Sequence, residues 1–264
     1  MVRQSSSPFG QILKSWRRLR GVSQLALATH SGVSARHISF IENGRSRPGR
    51  GLVLRLAESL DMPPRERNEL LESAGLSPIY EERKLSEDDM LPYRRIVQRL
   101  LENHEPFPAI VLDRWWNVVD GNTAAGLLLP EPGKFGFNVV ETFLATPHER
   151  DDEWIEGAWG FLARLRKDWV ASGQDQRLGE LMKRVELELK DCERPAADSV
   201  KDGPEIASCM MMGETPVSIV ATLVRFDTVN DITLNELRVE LIFPADEESE
   251  NVMRTAYDQL QGGR

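Results

Sequence analysis

Polar and basic side chains that can read double-stranded DNA are concentrated between residues 24 and 47. Arg36 can donate a bidentate pair of hydrogen bonds to guanine, and His37 or Ser39 can reach a base edge or a phosphate. Ala35 and Phe40 offer apolar contact, for example to a thymine methyl group. The side chains that we expect at DNA, including those that contact its backbone, are Gln24, Ser34, Ala35, Arg36, His37, Ser39, Phe40, Asn43, Arg45 and Arg47, with Arg50 on the same basic loop.

The spacing of residues 23–43 predicts two helices joined by a tight turn, the arrangement that presents such side chains to a groove. Ser23 and Ser34 stand where helix N-caps are expected, and Gly32 stands where the turn requires a positive φ. The residues that helical spacing assigns to buried faces are Leu25 and Ala28 in the first helix and Ile38 and Ile41 in the second. A helix-turn-helix is expected, and an amphipathic helix pair with a solvated basic loop is the alternative.

Three further amphipathic segments accompany this pair of helices. Residues 9–21 space apolar side chains at helical intervals, and residues 52–60 and 63–75 do so again. Pro63 and Pro64 suit the first turn of a helix, and Gly75 suits the position after a last turn. We expect an all-α, five-helix DNA-binding domain over residues 1–75, followed by a linker over residues 76–92, where no period is sustained.

The net charge of −9 is divided unevenly along the chain. Residues 1–60 hold ten Lys or Arg residues against two acids, Glu42 and Glu58, which gives +8. The remaining residues hold 23 basic and 40 acidic side chains, which gives −17. Because phosphate binding depends on local positive charge, the +8 segment is the one suited to DNA. The acidic remainder should face away from the duplex.

Residues 93–264 combine strand and helix patterns. Residues 109–112 and 116–119 predict two short strands joined by a turn, and residues 217–226 and 237–243 predict an antiparallel strand pair. A long helical pattern lies between them, at residues 151–191. An order of strands, then helices, then strands is typical of an α+β domain. It differs from the βαβ alternation of a doubly wound sheet. The chain is expected to have two domains, an all-α domain and then an α+β domain with an antiparallel sheet.

Several functional classes have no support in the sequence. Cys192 and Cys209 are too few for a disulfide framework or a four-ligand zinc site. No apolar run reaches the length of a membrane span and the amino terminus lacks a secretory signal, so we expect a cytoplasmic protein with no membrane partner. The motifs of phosphate-binding loops, serine hydrolases and zinc proteases are absent. The acids of residues 148–154 have no second ligand cluster, so we expect no metal site, no required cofactor and no enzyme.

The second domain has apolar residues that could line a ligand cavity under a sheet covered by helices. Arg114, His148 and Arg225 could pair with a carboxylate head group, or each could be solvated or locally paired. Ordinary core packing is the alternative for the apolar set. The candidate lining residues are Val111, Val118, Ala124, Leu128, Phe137, Val140, Phe143, Trp159, Leu162, Ile219, Leu223 and Val239.

Residues 9–60 resemble the lambda repressor and Cro class of helix-turn-helix, in the form typical of the xenobiotic-response-element family, through the run ISFIENGRSRP. The strings SARHISFIENGRSRP, RERNELLESAGL and HEPFPAIVLDRWWNVVDGNTAA resemble the bacterial MmyB-like transcriptional regulators. This resemblance covers the chain nearly end to end. It implies a second domain that is similar to a PAS fold and binds a ligand, with a fatty acid implicated as one ligand.

Two departures from the family pattern affect the DNA-binding domain. Ala35 stands where a hydrogen-bonding Gln is common, and the sequence Gly49-Arg50-Gly51 loosens the entry to the fourth helix. The operator sequence therefore does not carry over from the family.

These observations predict a bacterial transcriptional regulator that binds DNA as a homodimer and senses a small apolar ligand through residues 93–264. Dimerisation is expected from geometry, because one such domain covers little DNA and two half-sites are usually needed for specificity. The alternative is a ligand-independent regulator whose second domain is a protein-interaction and dimerisation module. A DNA-tethered enzyme would need a catalytic cluster that the sequence does not show.

Overall fold

The computed structural model of the protein describes residues 7–128, 134–145, 151–193, 208–212, 215–226 and 230–262. The chain divides into two compact units. The first unit contains residues 1–82 together with the short segments 168–175 and 229–235, and the second contains residues 83–167, 176–228 and 236–264.

Five helices form the amino-terminal part of the first unit, as the sequence predicts. Ser23 and Ser34 are the N-caps of the second and third helices, with their hydroxyl oxygens accepting from the N–H groups of Ala26 at 3.0 Å and His37 at 3.2 Å. Gly32 ends the second helix with a φ of 69°. The helices are α1 (Pro8–Leu19), α2 (Gln24–Ser31), α3 (Ala35–Glu42), α4 (Arg50–Ser59) and α5 (Pro64–Ser73).

One hydrophobic core joins the five helices, but α2 does not face it as predicted. Leu25 is 69% exposed, whereas Leu27 and Ala28 are buried. The prediction for Leu25 was wrong because the inward face of α2 includes a polar residue, Ser31. Its hydroxyl donates to the carbonyl of Leu27 at 2.6 Å, so that it is buried without an unsatisfied donor.

The segment that follows α5 is held against that helix by side-chain hydrogen bonds. The Asn68 side-chain oxygen accepts from the N–H groups of Ile79 at 3.0 Å and Tyr80 at 3.1 Å, and its amide donates to the Tyr80 carbonyl at 2.7 Å. Arg67 donates to the Tyr80 hydroxyl at 3.0 Å. Residues 79–80, within the predicted linker, are therefore folded onto the helical unit.

The described residues of the rest of the chain have the predicted α+β order, with a five-stranded sheet whose strands pair antiparallel. The sheet order is β2-β1-β5-β4-β3. A strand over the methionine run, β3, was not predicted, because methionine lacks the branched side chains that signal strands. The elements are α6 (Leu91–Asn103), β1 (Ala109–Leu112), β2 (Val118–Gly121), α7 (Val139–Ala145), α8 (Asp152–Ala171), α9 (Gln176–Glu188), β3 (Ser208–Met212), β4 (Thr215–Arg225), α10 (Ile232–Glu236), β5 (Arg238–Pro244) and α11 (Glu247–Gly262), with short 3₁₀ turns at Asp88–Met90 and Ala124–Leu127.

Alternation along the strands divides the apolar side chains between two faces of the sheet. On what we term the first face, Val111 lies opposite Val239 and packs with Val97 and Leu101 of α6. The second face has two clusters. The first contains Ile110, Leu112, Val118 and Ala125, and the second contains Met212, Val217, Ile219 and Ile242 against Met253 of α11.

Candidate DNA-binding surface and ligand-binding domain

The predicted reading helix, α3, has one face in the core and its other side chains at least partly accessible. Ile38 and Ile41 are fully buried, as predicted. Ala35 packs partly against the same core. The candidate DNA-binding residues that α3 and its flanking residues bring together on the accessible side are Ser34, Arg36 and Asn43, which are exposed, and His37, Ser39 and Phe40, which are half-buried.

Gln24, predicted to contact the DNA backbone, is held by a buried ion pair. Its side-chain amide donates to Glu42 Oε2 at 2.7 Å. The same carboxylate accepts from Arg17 Nε at 2.6 Å and from Arg17 Nη2 at 3.1 Å. This interaction joins α1, the start of α2 and the end of α3, so the position of Gln24 depends on Glu42.

Sequence reasoning missed Glu42 as the residue that fixes these helices. A signal was present, because Glu42 is the first acidic residue in the chain and directly follows the buried Ile41. An acid at a buried helical position requires a paired cation. The sequence offers two arginines in α1, Arg17 and Arg18, and the fold selects Arg17.

The basic loop after α3 is accessible. The Asn43 side chain is turned back on its own helix and donates to the Ser39 carbonyl at 2.8 Å. Arg45, Arg47 and Arg50 are all exposed. These three arginines suit the expected contacts with phosphates, which need charge and reach more than fixed geometry.

Arg36 lies over the ring of Phe40, with its guanidinium carbon 5.2 Å from the ring centroid. The two residues are four apart and therefore share one side of α3. The distance lies within the range of a cation–π interaction. Arg36, a predicted base-reading residue, thus contacts Phe40, which is also predicted to lie at DNA.

The candidate ligand-lining residues do not share one side of the sheet. Val111 and Val239 lie on the first face, whereas Val118, Phe137, Leu128 and Ile219 pack in the two clusters of the second face. Leu223 is 40% exposed. Of the remaining candidates, Ala124, Val140 and Leu162 are buried, and Phe143 and Trp159 are half-buried.

An aromatic cluster lies between α7, α8 and the β1–β2 turn. Phe143 stacks on Trp154 at 5.6 Å between ring centroids and meets Phe161 at 4.9 Å. Phe161 in turn packs edge-on to Trp116 at 5.8 Å. Of these four rings, the predicted lining set includes Phe143.

Comparison with known proteins decides the family. The ligand-binding domain of MmyB-like transcription regulators matches residues 93–256, which is more than half of the chain, and a helix-turn-helix domain matches residues 8–70. The chain belongs to the MmyB-like transcriptional regulators. The MmyB-like regulator is therefore a DNA-binding helix-turn-helix transcriptional regulator with a ligand-binding domain.

Two individual proteins match parts of the chain. The uncharacterized HTH-type transcriptional regulator RghRB of Bacillus subtilis (strain 168) is 33% identical over 112 residues, which are 41% of this chain and 78% of that protein. The restriction-modification controller protein C.AhdI from Aeromonas hydrophila is 36% identical, and the match covers 23% of this chain and 92% of that one, with a TM-score of 0.22.

The MmyB-like regulator also buries charged side chains on the second face of its sheet, which the sequence did not reveal. Arg238 and Glu240, alternate residues of β5, are 5% and 7% exposed. Glu240 pairs with Arg164 of α8 at 3.0 Å. Two guanidiniums lie close to the Trp116 ring, with their carbons 4.7 Å (Arg164) and 5.0 Å (Arg238) from its centroid. Alternating charge in a strand is typical of a solvent face, and here α8 approaches that face.

The three candidates for a carboxylate partner differ in their surroundings. Arg114 is buried, donates to Glu236 and lies 5.4 Å from the Trp115 ring, so the locally paired alternative holds for it. Arg225 is exposed at the end of β4. His148 lies outside the described residues.

The described part of the regulator lacks both a membrane-spanning helix and a metal-ligating cluster. None of its helices there is both long enough and apolar enough to cross a membrane. Likewise, the described His, Cys, Asp and Glu side chains include no group of three that could hold a metal ion.

Proposed function

We propose that the regulator senses a small apolar ligand through a PAS-like second domain, with a fatty acid as the leading candidate, and that it binds its operator as a homodimer. The observation that carries the ligand proposal is a strip of side chains on the second face along β4. The strip consists of Ile219, Ala221, Leu223 and Arg225, which are alternate residues of one strand.

The strip changes from apolar to basic along its length. Ile219 is buried in the cluster with Ile242, whereas Ala221, Leu223 and Arg225 are exposed. At about 3.3 Å per residue, the strip is about 20 Å long from Ile219 to Arg225. An acyl chain along the apolar part would remove Leu223 from water, and its carboxylate would meet the Arg225 guanidinium in a charge-assisted hydrogen bond.

Thermal unfolding of the full-length protein with saturated fatty acids of increasing length tests the proposal. A ligand that binds the folded state raises the unfolding midpoint with its concentration. Leu223→Asp should remove this stabilisation because it puts a carboxylate in the acyl path, and Arg225→Ala should weaken it.

Thr222→Asp is the matched control, since Thr222 is an exposed neighbour whose side chain lies on the other face of β4. It should respond to the acids as the wild type does. If no acid stabilises the wild type and native mass spectrometry finds no bound lipid, the ligand proposal fails.

The homodimer is supported by the small size of the five-helix unit. Two such units on half-sites about one DNA turn apart, or a multiple of it, supply the specificity that one lacks. Light scattering after size-exclusion chromatography should give twice the chain mass, and a selected operator should contain two related half-sites. A monomer that binds one half-site with full affinity would contradict this.

The alternative, a protein-interaction and dimerisation module without a ligand, is favoured by one observation. A groove of about 180 Å³ is lined by residues of α7 and α9, including Leu144 and Leu187, and Leu187 is 69% exposed. Such an exposed apolar residue suits a partner surface. If Leu187→Asp dissociates the dimer or abolishes regulation while the response to fatty acids is absent in the wild type, the alternative is correct.

A further inference from the structure

We infer that Phe40 is a positioning residue that holds the Arg36 guanidinium for recognition of a guanine, and that it does not itself contact a base. The inference rests on the proposed base-reading role of Arg36. It replaces the apolar contact to a thymine methyl group that Phe40 would otherwise make.

The geometry of the Arg36–Phe40 pair favours this role. The guanidinium carbon lies 5.2 Å from the ring centroid, and residues four apart on a helix remain adjacent. Phe40 is half-buried, and its carbonyl accepts from the Arg45 N–H at 2.8 Å, where α3 ends. The backbone of Phe40 is therefore held by a hydrogen bond, and its ring can support the Arg36 side chain. An arginine without such support would sample many rotamers.

The electrostatic position of Arg36 also favours it. It is the second residue of α3, whose first turn contains no acid, and the helix dipole disfavours a cation there. Within the described part of the chain, no carboxylate is paired with Arg36. The guanidinium thus lies close to a ring, and it is paired with no carboxylate that DNA would have to displace.

A guanidinium that stacks on a ring keeps its hydrogen-bond donors available. A ring meets the flat face of the group, and the N–H donors at its edge stay available in their planar fork. That fork matches the O6 and N7 acceptors of guanine in the major groove. The first turn of a recognition helix is the part that contacts base edges, which favours a guanine over a phosphate as the acceptor.

The test is a double-mutant cycle on DNA binding by the full-length protein. The probe is the duplex that the wild type selects from random sequences, together with versions in which each guanine is replaced singly by adenine. Phe40→Leu keeps apolar bulk but removes the ring face. It should weaken binding about two- to fivefold, the range expected from an exposed cation–π interaction. Arg36→Ala identifies one guanine as the base that Arg36 contacts. On the duplex in which that guanine is replaced, Phe40→Leu should cause no loss of binding.

Phe40→Leu should add no further loss in the Arg36→Ala background, whereas it should add its full effect in the Arg47→Ala background, which is the matched control. Phe40→Tyr, which retains the ring, should bind and discriminate as the wild type does. An equal loss on every duplex, a loss at another base pair, or full additivity with Arg36→Ala would overturn the positioning role. If the wild type selects no preferred sequence, or if Arg36→Ala leaves its preference unchanged, the proposed reading role fails as well.

Discussion

Replacement of Glu42 by glutamine should destabilise the helical unit more than any change to its exposed charges. The Glu42 side chain is 1% exposed and that of Arg17 is 11% exposed. The substitution keeps the size of the side chain but removes the charge that offsets the Arg17 guanidinium. The hydrogen bond that places Gln24 loses its charged acceptor at the same time.

The expected magnitude follows from the burial of the pair. Loss of one partner from a buried ion pair costs about 3–5 kcal/mol. An amide oxygen can still accept one hydrogen bond from Arg17, and the guanidinium side chain, which is 11% exposed, keeps some contact with water, so we expect the lower value, about 3 kcal/mol. At about 1.4 kcal/mol per factor of ten, this corresponds to roughly 100-fold more frequent opening of the unit.

Hydrogen exchange of peptides from α1 to α3 in the full-length protein measures this opening. Glu58→Gln is the control, because Glu58 is an exposed acid of α4 and should change stability by less than about 0.5 kcal/mol. The double substitution Arg17→Met with Glu42→Leu removes both charges and should recover most of the loss. If Glu42→Gln exchanges like Glu58→Gln, or if the double variant is as unstable as the single one, the explanation by an uncompensated buried charge is refuted.

Two more substitutions test packing and capping. Gly10→Ala should destabilise the helical unit by about 1–3 kcal/mol, because the new Cβ would lie 2.4 Å from the Glu42 carbonyl oxygen. Gly51→Ala is the control, because a Cβ at that position of α4 has space. Hydrogen exchange should be faster in the Gly10 variant than in the Gly51 variant, and equal exchange in the two would contradict the close approach of α1 to α3. Hydrogen bonds from the Ser249 backbone and side chain lower the pKa of the Asp246 carboxyl below 3.8, so its ionised form stabilises α11 above that pH and the stabilisation is lost as the pH falls through the lowered pKa. Asp246→Ala should therefore lower the thermal midpoint at pH 7 and progressively less below pH 3.8, and a deficit that does not change with pH would exclude the carboxylate as its cause.

The helical unit was largely predictable because its signals are local. Ser23 and Ser34 cap helices through hydrogen bonds to residues three positions on, and Gly32 supplies a positive φ in the turn. The prediction failed where burial depended on a polar residue. Ser31 is buried because its own helix satisfies its hydroxyl, which an apolar pattern cannot indicate, and Leu25 was therefore assigned to the wrong face.

The sheet was predictable as strands, but the surroundings of its two faces were not. The alternation in β5 separates Val239 from Arg238 and Glu240 regardless of the fold. Only the tertiary structure shows that α8 approaches the charged face and that Arg164 pairs with Glu240. The candidate lining residues were chosen by apolarity, which does not distinguish the two faces when both are packed.

The residues that hold the DNA-binding surface are distinct from those that we propose read it. Arg17 and Glu42 are largely buried and connect three helices, so most changes there alter the whole surface. Arg36 is exposed on α3, and its contact with Phe40 is within the same helix, so a change at either residue need not disturb the core. Ala35 packs only partly on the core, so a change at the start of that helix also need not disturb the core. Operator preference can therefore change through the exposed side of α3 while the buried ion pair keeps the helix in place.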